Sequence, residues 1–114
     1  MQYPPGSSTP YHAADLPSSQ REPSFDPHPV VKLFTPDAQC SWLLSEVDPQ
    51  DPDRAFGLCD LGLGTPELGY VSLVELATVR GHLSLPIERD RYLRPKALLS
   101  AYADNARLHG KIVT

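Results

Sequence analysis

The sequence predicts an α+β fold: a small single domain with a mainly antiparallel sheet, two helices on one face and a disordered tail before it. Three observations predict this class. Short apolar runs with strand-like alternation come first, turns rich in Gly, Pro and Asp separate them, and a helix-like stretch closes the chain. Strands followed by a helix, a strand and a second helix are typical of α+β domains. With 114 residues, the chain has room for one such domain.

The first 29 residues are predicted to form a disordered, proline-rich tail. They contain seven of the 13 prolines, among Ser, Gln and Gly, with neither a helical nor a strand period. Such a segment cannot bury enough apolar surface to offset the entropy of ordering it. We therefore expect the folded domain to span residues 30–114.

Four apolar segments between residues 30 and 73 predict strands, the last three of them a meander. The segments are VVKLF, CSWLLSEVD, AFGLCDLG and ELGYVSL, and PQDPDR between the second and third is a turn signal. In CSWLLSEVD, alternation places Trp42, Leu44 and Glu46 on one face of the sheet. Leu43 and Val47 are then expected on the other face.

The glycine-rich stretch at residues 55–73 raises a choice between a phosphate-binding loop and a hairpin. A dinucleotide-binding loop needs G-x-G-x-x-G opening a helix. Here Gly62 and Gly64 are followed by Gly69 at the wrong offset and by another strand-like run. We therefore predict a hairpin turn in which Gly62 and Gly64 supply positive φ angles. Gly57 and Gly69, inside strands, indicate a bulge or a close approach of two backbones.

Two helices and an added strand complete the domain. Ser72 and Glu75 fit a capping box, so the first helix is expected to start there and to end near Gly81. Residues 83–93 are expected to be extended around a proline. The second helix is expected between Pro95 and Gly110. The predicted core consists of Trp42, Leu44, Phe56, Leu58, Val71, Leu73, Leu76, Leu98 and Tyr102.

The segments KLFTPDAQCSWLLSEVDPQDPDRAFGLCDLGLGTPELGYVSLVEL and LPIERDRYLRPKALLSAYA resemble a family of small bacterial domains of unknown function. The resemblance covers nearly all of residues 31–109 and leaves the tail before residue 30 outside. It implies a genomic context of plasmids, integrative elements and phage-like regions, often beside antirestriction genes. It supplies no catalytic residues. An anti-defence role, antirestriction or anti-CRISPR-like, is therefore an expectation from the resemblance.

Charge is distributed unevenly along the domain. Residues 37–78 contain eight acids and one base, whereas residues 79–114 contain seven bases and three acids. One hypothesis is a protein-interaction module that presents an acidic surface to a basic partner. The residues of that surface would be Glu46, Asp48, Asp51, Asp53, Asp60 and Glu67.

The alternative hypothesis is a nucleic-acid-binding accessory protein. Its site would be Arg89, Arg91, Tyr92, Arg94 and Lys96, which could contact phosphates and stack one base. The competing interpretation of this segment is a solvated face on which Glu88 and Asp90 pair with the arginines across neighbouring strands. The sequence favours the competing interpretation, since nucleic-acid-binding domains usually carry a net positive charge.

Enzymatic chemistry receives little support from the residue pattern. The acids are interleaved with prolines and fit no calcium loop, and Cys40, Cys59, His82 and His109 lack the close pairing of zinc ligands. We expect no cofactor, no metal and no catalytic residues. Cys40 and Cys59 are expected to be free thiols, and a cytoplasmic location is expected because no signal peptide or membrane-spanning run is visible.

Overall fold

The fold is a five-stranded antiparallel sheet with two helices, seen in a computed structural model that describes residues 15–22 and 24–114. The elements are β1 Val31–Phe34, β2 Ser41–Asp48, β3 Asp51–Asp60, β4 Glu67–Ser72, α1 Leu73–Leu76, β5 Glu88–Asp90 and α2 Leu99–His109. The strand order is β4-β3-β2-β1-β5, and each neighbouring pair is antiparallel. The predicted α+β class with its meander is confirmed, and β5 is the added strand.

The two faces of the sheet carry separate hydrophobic clusters. On one face, Trp42 and Leu44 pack with Leu73 and Leu76 of α1. On the other, Leu43 packs with three buried residues of α2, Leu99, Ala103 and Ala106. Because successive residues of a strand point to opposite faces, the helices cover opposite sides of the sheet. The prediction that both helices share one face is wrong.

A β-bulge in β2 changes which residues point to which face. The register of β2 against β3 shifts between Leu44 and Glu46, so Glu46 lies opposite Phe56 and Val47 lies opposite Ala55. Val47 therefore packs with the cluster of Trp42 and Leu44. The sequence placed Glu46 on that face and Val47 on the other, which is wrong because the extra residue reverses the alternation beyond it.

The domain begins further toward the N-terminus than the predicted boundary at residue 30. Leu16 is only 7% exposed and packs in the α1-side cluster. Val47 N donates to Pro17 O at 2.8 Å, and Ser19 N donates to Val47 O at 3.1 Å. The chain thus forms a short parallel contact beside the bulge of β2. Residues 1–14 and 23 of the predicted tail lie outside the described residues.

The β2–β3 turn and the first helix are both shorter than the sequence predicts. Asp48 and Asp51 are register partners, so the predicted turn over residues 49–54 narrows to Pro49 and Gln50. Ser72 caps α1 as predicted, with its hydroxyl accepting from Glu75 N, but α1 ends at Leu76. The first helix is therefore a single turn and does not extend to residue 81.

The second helix starts at Leu99, four residues later than the predicted Pro95. Its N-cap residue, Leu98, has no side chain able to cap it. The N-terminal segment supplies the missing acceptors instead. Leu99 N donates to Pro27 O at 2.8 Å, and Ser100 N donates to Asp26 Oδ1 at 3.0 Å. Because the caps come from distant residues, local sequence signals placed this helix start too early.

The predicted core is largely confirmed. Trp42, Leu44, Leu58, Leu73 and Leu76 are buried. Phe56, Val71 and Tyr102 are half-buried against the clusters. Leu98 is 41% exposed, which corrects its assignment, because the helix starts one residue after it and turns Leu99 inward instead.

We expect Asp26→Asn to destabilise the domain by about 0.3–1 kcal/mol at neutral pH, because Asn keeps an acceptor oxygen but loses the negative charge that is favourable at a helix N-terminus. The Ser100 hydroxyl and the Ser100 N–H both donate to this carboxylate, and these bonds hold its pKa below the ordinary 3.8. A lowered folded-state pKa contributes stability above the unfolded value, and that contribution is lost as pH falls through the folded value. Urea unfolding of both proteins between neutral pH and about pH 3 should show the difference shrinking below pH 3.8. A difference that does not change with pH would contradict this role for Asp26.

Candidate functional site

Four exposed residues follow β5 and form what we call the basic segment: Arg91, Tyr92, Arg94 and Lys96. Tyr92 is 85% exposed. Leu93 packs beneath it in the α2-side cluster, and Lys96 N donates to Tyr102 Oη at 3.0 Å. The segment is thus attached to the domain at two points while its charged side chains and its tyrosine extend into solvent.

The predicted pairing of Glu88 and Asp90 with the arginines is not found in the described part of the chain. The Asp90 carboxylate instead accepts the Tyr92 N–H at 2.9 Å, which turns the chain at the end of β5. Arg89 differs from the basic segment, since it is half-buried and lies 3.3 Å from Asp15. Among the described residues, no ion pair involves the basic segment.

Glu46 does not belong to an acidic surface. Its side chain is 1% exposed, and its Oε2 lies 2.5 Å from Arg21 Nη1. The Arg21 guanidinium carbon lies 3.7 Å from the centre of the Phe56 ring and 5.2 Å from that of Phe25. The Ser45 hydroxyl contacts the other oxygen of Glu46. The bulge therefore turns this carboxylate into the interior, where a paired arginine offsets the cost of burying its charge.

Two more of the predicted surface acids bind backbone groups within the domain. Asp60 is 3% exposed, and its two oxygens accept the N–H groups of Gly62 at 2.9 Å and Ile112 at 3.0 Å. Asp53 accepts the Val74 N–H at 2.8 Å and the Ser72 hydroxyl at 2.5 Å. Asp60 fastens the C-terminal residues to the β3–β4 turn, and Asp53 fastens the start of α1.

The remaining predicted acids, Asp48, Asp51 and Glu67, are accessible at the surface. Asp51 is exposed and Asp48 half-buried at the β2–β3 turn, where Arg54 Nη1 lies 3.9 Å from Asp48 Oδ2. Glu67 lies beside Cys59, near the other end of β3. At about 3.3 Å per residue, Glu67 is separated from Asp51 by roughly 26 Å, so the three do not form one patch.

The cysteines are half-buried free thiols, as predicted. Burial raises the pKa of the Cys59 thiol to about 11, which keeps it protonated and poorly nucleophilic at neutral pH. Within residues 15–22 and 24–114, no three His, Cys, Asp or Glu side chains come together as a group able to hold a metal ion. The same residues contain no helix of the length and apolarity needed to cross a membrane.

An open cleft of about 640 Å³ lies beside the C-terminal end of α2 and was not predicted from the sequence. Its lining includes Lys32, Phe34, Ser41, Asp60, Gly64 and Lys111. Gly62 and Gly64 take left-handed conformations, with φ of 76° and 83°, and form the predicted β3–β4 turn at its edge. No sequence signal connects Lys32 with Lys111, because they line the same cleft only through the packing of the chain end against β1 and β3.

The family model described as "Protein of unknown function (DUF2958)" matches residues 11–113. The match begins well before residue 30, in agreement with the packing of residues 15–22 and 24–29 and contrary to the expected start of the resemblance. No curated protein and no solved structure matches the chain. Since the matched range covers most of the sequence, the chain belongs to the DUF2958 family of proteins of unknown function.

Proposed function

We propose that this domain is a non-enzymatic binding module whose basic segment holds single-stranded nucleic acid. One observation carries the proposal: Tyr92 is 85% exposed between Arg91 and Arg94, and no described acid pairs with either arginine. A single exposed aromatic ring is common on protein surfaces, so its position between two arginines is the feature that indicates a binding surface. Between two guanidinium groups without an acidic partner among the described residues, the ring offers a base-stacking platform with phosphate ligands on both sides.

The structure changes the balance between the two hypotheses raised by the sequence. Glu46, Asp53 and Asp60 are used inside the domain, so the acidic surface loses half of its predicted members. Of the five residues predicted for the nucleic-acid site, only Arg89 is used inside the domain, where it contacts Asp15. The overall charge of -4 does not prevent nucleic-acid binding when the cations are concentrated in one segment, because electrostatic screening limits repulsion to about 8–10 Å.

We expect Tyr92→Ala to raise the Kd for a fluorescently labelled oligothymidine by about tenfold, since stacking on one base contributes about 1–3 kcal/mol. Replacing Arg91 and Arg94 together by Gln should weaken binding and lower the salt slope of log K by about 1.4, or 0.7 per phosphate contact. Fluorescence anisotropy at several salt concentrations measures both effects.

Arg107→Gln is the matched control for this experiment. Arg107 is also exposed, but it lies on α2 and pairs with Asp104 at 3.0 Å. Its replacement should change the Kd by less than about twofold, because an exposed ion pair contributes little. Binding that is independent of salt, or weakened equally by Arg107→Gln, would refute the proposed site.

A protein-interaction module acting through an acidic surface remains the second candidate. The exposed carboxylate of Asp51 at the tip of the β2–β3 turn, next to Asp48, favours it. Under this second hypothesis, the acidic surface binds a basic surface of a host-defence or plasmid protein. Such a partner agrees with the mobile-element and anti-defence context that the resemblance implies. Asp51→Lys should then abolish binding of a lysine-rich peptide and leave the melting temperature nearly unchanged. The same variant should not weaken oligothymidine binding if the basic segment is the site.

A further inference from the structure

The cleft beside the end of α2 is a second surface feature, separate from the basic segment, none of whose residues lines it. Its walls come from β1, from the connection between β1 and β2, from the β3–β4 turn and from the chain that follows α2. A volume of about 640 Å³ is within the usual range of small-molecule sites. The cleft is therefore large enough for a ligand of the size of a mononucleotide.

The charges facing this cleft are unbalanced in favour of an anion. Three charged residues line it, Lys32, Asp60 and Lys111. Asp60 is 3% exposed, and each of its oxygens already accepts a backbone N–H, from Gly62 and from Ile112. Both oxygens are thus occupied by hydrogen bonds, and the two lysines outnumber this single carboxylate. The two lysines are left as the accessible charges of the cleft.

Both lysines have unused donors. Lys32 Nζ donates one hydrogen bond, to Thr114 Oγ1 at 2.7 Å, and an ammonium group carries three N–H donors. Lys111 is exposed and forms no ion pair with any described residue. The Ser41 hydroxyl, opposite Phe34 in the register of β1 and β2, adds a neutral donor to the lining. Several donors around two cations suit a phosphate group, which presents several acceptor oxygens.

The same cleft also offers an apolar surface. Phe34 is half-buried in its lining. A Cβ added to Gly64, which also lines the cleft, would meet nothing within 4 Å, so there is free space beside this glycine. An aromatic ring and free space in the same cleft allow a flat ring to lie against Phe34.

We propose that this cleft binds a phosphate ester that carries a flat ring, with its phosphate at Lys32 and Lys111 and its ring against Phe34. The proposal is independent of nucleic-acid binding by the basic segment. Adenosine monophosphate is a suitable probe because it contains both parts, while inorganic phosphate and adenosine each supply one of them.

Titration of the ¹⁵N-labelled protein with the three probes, followed by amide chemical shifts, tests the proposal. We expect adenosine monophosphate to shift the amides of Ser41, Gly62, Gly64 and Lys111 and to bind at least about tenfold more tightly than phosphate or adenosine, a difference of about 1.4 kcal/mol. Replacing Lys32 and Lys111 together by Gln should raise its Kd by about tenfold or more. Lys111→Gln alone should raise it severalfold without disturbing the contact of Lys32 with Thr114.

Lys96→Gln is the control, because Lys96 is an exposed lysine outside the cleft, on the basic segment. It should leave the Kd of adenosine monophosphate within about twofold of the original value. The proposal is overturned if adenosine monophosphate gives no shift at about 1 mM. It is also overturned if adenosine binds equally well, or if Lys96→Gln weakens binding as much as the double replacement, which would place the phosphate on the basic segment.

Discussion

Replacing Arg21 by Met should destabilise the domain by about 3–5 kcal/mol, because it leaves the Glu46 carboxylate buried without a cation beside it. The Glu46 side chain is 1% exposed, and Arg21 Nη1 lies 2.5 Å from its Oε2. Methionine retains an apolar chain against Phe56, so the loss reports mainly on the missing charge. Urea unfolding monitored by the fluorescence of the single Trp42 measures the change.

Two further variants separate this effect from ordinary loss of an ion pair. Arg107→Met breaks the ion pair between Arg107 and Asp104, whose side chains are 56% and 77% exposed, respectively. Because this pair is exposed, its loss should lower the free energy of unfolding by at most about 1 kcal/mol. Adding Glu46→Leu to Arg21→Met should recover most of the lost stability, since no unpaired charge then remains inside. Equal losses from Arg21→Met and Arg107→Met would show that Glu46 does not depend on Arg21.

Gly57→Ala should lower stability and Gly69→Ala should not, although the two glycines face each other in the register of β3 and β4. A Cβ at Gly57 would lie 2.8 Å from the Cα of Leu44 and closer still to the carbonyl oxygen of Leu43. Both obstacles are backbone atoms, so β2 would have to move away. We expect a loss of about 3 kcal/mol or more, at the upper end of the cost of overpacking.

Gly69 is the matched control, because a Cβ there would meet nothing within 4 Å. Alanine should be neutral or should stabilise β4 by about 0.5–1 kcal/mol, since it has less backbone entropy to lose on folding. Thermal unfolding of both variants shows the contrast. A loss of similar size at both positions would mean that strand propensity decides the outcome and that the close approach of β2 and β3 does not.

Gly57 and Gly69 also show that a glycine inside a strand does not by itself predict a bulge or a close backbone approach. Gly57 and Gly69 were both expected to mark a bulge or a close backbone approach. The expectation is confirmed for Gly57, which lies opposite Leu44 where the β2 bulge begins, and is wrong for Gly69. A glycine inside a strand has the same appearance in the sequence in both cases. Only the neighbouring strand determines whether a side chain would fit.

The two candidate sites also differ in how well the sequence alone predicted them. The basic segment was predicted because its residues are close together in the sequence, and the structure leaves Arg91, Tyr92, Arg94 and Lys96 exposed. The acidic set was collected from positions spread over three strands, β2, β3 and β4. Its members therefore depended on strand register, and the bulge in β2 was enough to bury Glu46.

Local patterns were sufficient for the strands β1 to β4, the Gly62 and Gly64 turn and the Ser72 cap, because alternation, positive φ angles and capping depend on residues within a few positions of one another. Contacts over long separations decided the rest. Arg21 reaches Glu46, Asp26 sets the start of α2, and Lys32 and Lys111 line one cleft. A periodicity cannot encode such pairs, since each member has an unremarkable local sequence and acquires its role only when the chain packs.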